Sequence, residues 1–533
     1  MASRSPAPVV ISLPRGLQTG GVTTWAVRTA GAMARRGRAA CLVVHREDVG
    51  SDRLGFEVPG EIRVIDLSGL PPLDGAGGDL SRVIPPYRDA VRALARETGR
   101  PVVMIPTLLG DSFGVAAALT LTDPELLRVV GWCHSPIAYD AAVLDHYERV
   151  IARFAAVSDP IAAGLRSRHP SRAGEIDVVY HGVEAPRERP GRPALAGRAL
   201  MLVYAGRVED DLKRVVSLVA ISDSLRRAGV GHRLTIVGDG PASGRVDALI
   251  AEGRTDRIRR LSAVPPDRVQ GLMAEHDVFV LPSRVEGMPL AALEAMAVGC
   301  VPVMRRTETG SRVLAEHGVS GVFVEVGDDA DDAAVGEAFA GAIVGAMGGR
   351  MGAGIDRMSE AAHRRARERF SMEAYADWAE RVIDAAASSA PRAWPADRPC
   401  AFTSLSGSSG SGAVPSGGAW RLGELLGALA GRRVVVHGVG RHTIELGSVF
   451  AGSGAGIVAF CDDDPSRQGG TIWNWPIVSP SSAGRTGATD VVISSWMNQE
   501  AIWDRRAVYE RQGMSVHRLY DVVDGPGARP PGV

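Results

Sequence analysis

Short apolar runs alternate along this chain with glycine-bearing loops and amphipathic stretches. That pattern marks strands buried on both faces between helices. Pro8-Val-Val-Ile-Ser-Leu13 reads as the first strand. A glycine-containing loop, Gly16 to Gly21, leads into helical periodicity from Val22 to Arg36, which stops at Gly37. Ala39 to Val44 is the second strand. Strand, loop, helix, strand is a doubly wound opening, with Gly20-Gly21 at a helix N-terminus. Arg63–Asp66, Val102–Ile105 and Arg128–Trp132 read as further strands, and Pro85–Thr98 as a helix between them. Residues 184–198, rich in Pro, Arg and Gly, read as a hinge. Beyond it the pattern restarts with strands at Ala199–Tyr204, Arg233–Val237, Asp277–Pro282 and Cys300–Met304. An amphipathic helix, Phe370–Ile383, closes this second series.

The stretch from Val280 to Gly299 carries the most chemistry. A buried strand ends at Pro282, a loop runs from Ser283 to Met288, and a helix is expected from Pro289 with Leu290, Leu293 and Met296 at helical spacing. Glu286 lies in the loop and Glu294 in the helix. Free amides and aligned peptide dipoles at a helix N-terminus favour an anion. Two carboxylates flanking an anion site suit a ligand with phosphate in the middle and hydroxyls at both ends, the layout of a nucleotide sugar.

Glu286 and Glu294, with seven residues between them after a Pro-Ser strand end, resemble the paired-glutamate motif of the retaining GT-B glycosyltransferases of family 4. The resemblance covers roughly residues 8–385. It implies two doubly wound Rossmann-like domains, residues 1–190 on the acceptor side and 191–385 on the donor side. It implies that Glu286 contacts donor-sugar hydroxyls and Glu294 the ribose, that Gly287, Met288, Pro289 and Leu290 bind the donor, and that the loop amides between the two glutamates hold the diphosphate. Ala205-Gly-Arg-Val-Glu-Asp-Asp-Leu-Lys213 is similar to the family's Gly-Arg…Lys element, so Arg207 and Lys213 would converge on the diphosphate and offset charge on the leaving phosphate. The family often has glycine after this lysine; Arg214 stands there. Gly20 and Gly21 resemble the family's Gly-Gly loop, and His134, after a strand end in Trp132-Cys-His-Ser-Pro136, stands where the family places a histidine near the donor sugar. His181 replaces the usual asparagine of an Asn-Gly-Val landmark, and Arg312-Val313 stand where the family often has an acidic residue. No role is transferred to these positions. The implied activity is transfer of a sugar from a nucleotide diphosphate sugar to a sugar, lipid-linked or small-molecule acceptor hydroxyl. Other nucleotide-sugar chemistry, epimerisation or hydrolysis, and a non-catalytic sugar-nucleotide scaffold are the alternatives.

Composition narrows the picture. Formal net charge is −1, which speaks against nucleic acid as a partner. No apolar run spans a bilayer, leaving peripheral membrane contact open. The five cysteines are scattered without a CxxC, which fits a reducing, cytoplasmic setting and no zinc site. Among 60 basic residues Lys213 is the one lysine. Elsewhere arginine serves, so Lys213 marks a position where a compact point charge is needed rather than a planar fork. No Asp-x-Asp pair stands at an active-site strand end, so no metal is expected.

Residues 386–418, rich in Ser, Gly, Pro and Ala, read as a flexible linker. Beyond it, residues 419–533 form a third, small Rossmann-like α/β unit. Its strands are Arg433–His437, Gly456–Cys461 and Asp490–Ser494, and its glycine fingerprint is incomplete: Gly438 and Gly440 are followed by Thr443 where a third glycine belongs. A dinucleotide there is therefore less expected than a structural or docking role, and no cofactor is expected overall.

Overall fold

A computed structural model describes residues 5–519 except 19, 47–57, 71–72, 74–79, 108, 196, 211, 254–255, 308–309, 329, 349–353, 397, 399, 403–417, 440–442, 444–445, 452, 466, 474 and 496–498. Gly440 thus lies outside the described residues.

The first lobe runs β1 (Val9–Leu13), α1 (Gly21–Arg35), β2 (Ala40–His45), β3 (Arg63–Leu67), α2 (Ile84–Thr98), β4 (Val102–Ile105), α3 (Gly110–Thr122), β5 (Leu127–Cys133), α4 (Ala138–His146), β6 (Ile151–Ala156), α5 (Asp159–Arg168) and β7 (Ile176–Val178). Its seven strands lie in the order β3-β2-β1-β4-β5-β6-β7, all parallel. The runs that made the strands legible are buried on both faces: every residue of β1, β2, β4 and β5 is buried.

The second lobe repeats the plan with β8 (Leu200–Ala205), α6 (Ser217–Arg227), β9 (His232–Val237), α7 (Ser243–Glu252), β10 (Ile258–Leu261), α8 (Pro266–Ala274), β11 (Val278–Leu281), α9 (Leu290–Ala297), β12 (Val301–Arg305), α10 (Ser311–Leu314), β13 (Val322–Val324), α11 (Asp332–Met347), α12 (Gly354–Arg369) and α13 (Met372–Ala387). Strand order is β10-β9-β8-β11-β12-β13. In each sheet the order reverses once, between β1 and β4 and between β8 and β11. Ligands of open α/β sheets bind outside the strand carboxyl ends at such reversals. The Gly20-Gly21 loop follows β1, the Arg207–Lys213 loop follows β8 and the Glu286 loop follows β11, so all three stand at a reversal.

α13 starts at an N-cap serine, Ser371, whose hydroxyl accepts from Ala374 N at 3.2 Å. Its buried face includes Tyr375, Ala379, Val382 and Ile383. It packs against α1 and against β4–β6, returning the chain to the first lobe as the amphipathic pattern implied. The two lobes share one continuous apolar core.

The linker expected over residues 386–418 is corrected in its first part. The described residues between 388 and 402 form a strap along the first lobe. Trp394 is 2% exposed and Phe402 4%. Trp394 N donates to Thr120 Oγ1 at 3.1 Å, Tyr147 Oη to Cys400 O at 2.7 Å, and Phe402 N to Asp111 Oδ1 at 2.8 Å. Two aromatic anchors outweigh the polar composition around them. Residues 403–417 lie outside the described residues.

The third unit opens with α14 (Gly418–Ala428), followed by β14 (Arg433–His437), β15 (Gly456–Cys461), β16 (Thr471–Ile472), β17 (Trp475–Val478), β18 (Asp490–Ile493) and β19 (Ser515–Arg518). The order is β16-β17-β15-β14-β18-β19, with β16 antiparallel to its neighbour. Thr443 fills the close helix–strand approach differently from a glycine: its buried hydroxyl donates to Ser494 O at 2.8 Å. The Asp462 carboxylate accepts from Val439 N at 3.0 Å, so this strand-end aspartate caps the loop after β14. The unit does not stand apart. α14 packs on α4 of the first lobe, and its charges Arg421 and Glu424 sit within electrostatic range of Arg284 and Asp328 of the second.

Candidate active site

β11 ends at Leu281 and α9 begins at Leu290. Pro289 is the N-cap of α9 rather than its first helical residue, with φ −70° and ψ 102°. Its fixed φ suits either place, so the one-residue shift leaves the amides of the following turn facing the reversal. Between strand and helix the loop makes a close approach across the lobes. A Cβ built at Gly287 would lie 1.9 Å from the carbonyl oxygen of His134. Only glycine fits there, and the contact seats the loop after β11 directly on the loop after β5.

Two ion pairs flank this loop. Lys213 Nζ meets Glu286 Oε1 at 2.7 Å, with Glu286 buried and Lys213 partly exposed. Arg28 Nη2, from α1 of the first lobe, meets Glu294 Oε1 at 2.6 Å. Burial raises the pKa of Glu294, and the charge and hydrogen bond of Arg28 oppose that rise. Arg28 was not singled out in the sequence. It is one of two arginines on α1, and its partner lies 266 residues away, so no local pattern marks it.

Arg207 is exposed, and its backbone carbonyl accepts from Tyr204 Oη at 2.7 Å. The structure therefore brings Lys213 onto Glu286 and leaves the Arg207 side chain in solvent at the same strand end. Arg214 explains why glycine is common after this lysine. Its φ is +51°, in the left-handed region that side chains disfavour. The guanidinium offsets that cost by reaching the carbonyls of Gly327, Asp328 and Ala330 at 3.2, 2.5 and 3.2 Å. Burial pushes its pKa down to about 10.

On the first lobe, Gly20 is the N-cap of α1 and Gly21 its first residue. Both are exposed, and a Cβ at either would meet nothing within 4 Å. The protein's own packing therefore does not require glycine there. His134 packs edge-on to Trp25 at 4.3 Å and parallel to His181 at 5.7 Å. Burial lowers the pKa of His134 well below the usual histidine range and that of His181 to about 4. Both rings are neutral at pH 7, and their Nε2 and Nδ1 atoms, respectively, are buried without a hydrogen-bond partner. Met288 is buried, its sulfur accepting from His181 N at 3.1 Å. Leu290 lines a small interlobe cavity with Trp25, Arg28, His181 and Tyr375. Asp140, in the first turn of α4, is pushed up to about 7 by burial.

Among the described residues no group of three or more His, Cys, Asp or Glu side chains is arranged to hold a metal ion. No described helix is long and apolar enough to cross a membrane.

Comparison with known proteins matches the same residues. The family model described as glycosyl transferases group 1 matches residues 199–343. A D-inositol 3-phosphate glycosyltransferase of Mycolicibacterium gilvum is 32% identical over 207 residues, 37% of this chain and 46% of that protein. The protein of the same name from Actinosynnema mirum is 28% identical over 409 residues, 67% of this chain and 95% of that one. The chain thus spans less than half the length of the first of these relatives. Among solved structures, Anabaena HepE in complex with UDP-glucose superposes with a TM-score of 0.53 at 16% identity, covering 70% of this chain and 98% of that one. Residues 199–343 match the family model of the glycosyl transferases group 1, and the two lobes together have the GT-B fold.

Proposed function

We propose that this chain transfers a sugar from a nucleoside diphosphate sugar to an acceptor hydroxyl with retention of anomeric configuration. The observation that carries the reading is the Lys213–Glu286 pair at the strand reversal, beside the amides that open α9. Lys213 and Arg207 neutralise the diphosphate together with those amides, so the reaction uses no metal. In the ligand-free protein the Lys213 ammonium rests on Glu286; an incoming diphosphate takes a share of it. The anomeric carbon–phosphate oxygen bond breaks, the acceptor oxygen bonds to that carbon on the same face, and the acceptor's proton passes to the departing phosphate. Charge grows on the leaving phosphate toward the transition state, so the cations contribute more there than in the ground state.

Glu286 accepts hydrogen bonds from donor-sugar hydroxyls and Glu294 from the ribose. His134 offers a neutral imidazole near the sugar, and Gly20-Gly21 lets backbone approach it. The relatives are named as glycosyltransferases, and HepE was solved with UDP-glucose. The free cysteines fit a cytoplasmic enzyme.

A thermal-shift screen of nucleoside diphosphates and their sugars identifies the donor, since a ligand stabilises by mass action. Incubation with that donor and a panel of polyol, sugar and lipid-linked acceptors, in excess chelator, should give a glycoside of unchanged anomeric configuration by NMR. An inverted product, or a requirement for added metal, would refute the corresponding half of the proposal. Release of free sugar with every acceptor would make the chain a hydrolase.

A further inference from the structure

Glu294 is buried in the second lobe, and the charge that opposes the effect of its burial comes from the first. We propose that Arg28 is a positioning residue for the donor nucleotide: it grips one oxygen of Glu294 across the lobes and leaves the other to accept from a ribose diol. This rests on the reading of Glu294 as the ribose contact.

The geometry is specific. The Arg28 bond goes to Oε1 at 2.6 Å, a short charge-assisted contact. Arg28 Nη1 is buried and has no hydrogen-bond partner, so the protein leaves one donor of this guanidinium unspent. Trp25, one turn earlier on α1, holds its buried indole N–H beside Tyr375, and Trp25 and Arg28 both line the interlobe cavity. A buried guanidinium donor without an acceptor at this interface fits a site completed by an oxygen-rich ligand.

A carboxylate in this position loses its water and gains a proton readily unless a cation holds it. A protonated Glu294 would have an O–H in place of one acceptor, and a ribose diol needs acceptors. Because the cation stands on the opposite lobe, the grip exists only when the lobes are together. Nucleotide affinity and lobe closure are therefore coupled through one side chain.

Tyr375 of α13, which lines the same cavity as Arg28, shares a hydrogen bond with Thr29 Oγ1 at 2.5 Å. His181 and His134, on the loops after β7 and β5, are neutral by burial. On the second lobe, His363 of α12 bonds Ala297 O at 2.7 Å, Arg305 of β12 pairs with Asp328, and Asp267 and Arg268 of α8 are exposed. Lys213 and Glu286 pair with each other.

The experiment has two arms. In the ligand-free arm, unfolding of wild type, Arg28→Met, Glu294→Gln and the double variant is followed from pH 6 to 8.5. A raised folded pKa gives stability that is present at low pH and lost as pH rises through it. Arg28→Met should therefore lose stability relative to the double variant as pH rises. Wild type against Glu294→Gln should change less over the same range, because Arg28 opposes the rise. In the second arm, calorimetry measures affinity for the nucleoside diphosphate found by the thermal-shift screen. Arg28→Met should bind at least tenfold more weakly at pH 6 and recover as pH rises, while Arg28→Lys restores a flat profile. A constant difference for Arg28→Met in the first arm overturns the inference whether or not any nucleotide binds. If no nucleoside diphosphate binds wild type at all, the ribose part falls together with the proposed function. If Arg28→Met does not fold, the comparison is made with Arg28→Lys and Arg28→Gln, of which the glutamine variant should behave as described for Met.

Discussion

Replacing Trp394 by alanine should destabilise the first lobe, although Trp394 sits in a stretch whose composition is that of a linker. The side chain is 2% exposed. Its ring lies 5.2 Å from that of Tyr147 and 5.5 Å from that of His146, and its Nε1 donates to Arg398 O at 3.1 Å. Truncating a buried Trp to alanine costs roughly 3–5 kcal/mol when the cavity cannot collapse. Collapse is restricted here because the strap is held on both sides of Trp394. Upstream, Arg128 Nε donates to Ser389 O at 2.8 Å. Downstream, Phe402 fills the space where a side chain at Gly110 would stand, and a Cβ at Gly114 would lie 2.7 Å from Cys400 O. At roughly 2–4 °C per kcal/mol for a lobe of this size, the first melting transition should fall by about 6–20 °C. Leu121→Ala, at a side chain 38% exposed on the same helix α3, should change it by less than about 0.5 kcal/mol. Circular-dichroism and fluorescence melts of the full chain measure both. If Trp394→Ala melts within a degree or two of wild type, the strap is not part of the core and the linker reading returns.

Three further outcomes follow from the site. Lys213→Met should lower kcat by roughly 10²–10³-fold, the scale of losing one electrostatic donor to a developing oxyanion, with a smaller change in donor KM; an unchanged kcat by steady-state kinetics would remove Lys213 from the chemistry. Glu294→Ala should weaken the bare nucleoside diphosphate by about 1.5–3 kcal/mol per lost charged hydrogen bond, whereas Glu286→Ala should leave that affinity nearly intact and depress transfer; equal losses in calorimetry would show the two roles misassigned. Burial raises the Asp140 carboxyl from the usual aspartate range to about 7, so its contribution to stability is full below about pH 4 and is lost as pH rises through 7. Asp140→Asn should accordingly raise the melting temperature at pH 8 relative to pH 5, and a pH-independent difference would count against a buried carboxyl there.

The strands were legible because a parallel strand covered on both faces is an apolar run, and glycine or proline marks its ends. β4 at Val102–Ile105 matches the sequence reading residue for residue. Helices were legible in proportion to their exposure. α2 keeps a polar face and was read within a residue of its observed start. α3 was not read, because eleven of its thirteen residues are buried and a helix covered all round has no periodicity to betray it. The strap was misread for the converse reason. Two aromatic anchors separated by seven residues do not shift the composition of a Ser/Pro/Ala stretch, and the groove that receives them is formed by α3 and the end of α4.

The same distinction between local and distant information divides the site. Lys213, Glu286 and Glu294 lie on two loop–helix units whose chemistry is written in short stretches of sequence, and the fold places the first two within 2.7 Å of each other. Arg28 and the His134–Gly287 contact are properties of the way two lobes meet, and nothing near either residue in the chain records them. The third unit belongs to this second class. Read alone it is a small Rossmann-like domain with a broken glycine fingerprint. Its helix α14, however, packs on α4, which begins four residues after His134, and carries Arg421 and Glu424 toward Arg284 and Asp328 beside the glutamate loop. An element that packs on one lobe and holds its charges within range of the other, next to the transfer site, restricts how far they separate. If opening admits donor and releases product, a cut made after Phe402 spares the strap and removes this restraint, so its effect should be on turnover and on acceptor choice rather than on the stability of the first lobe.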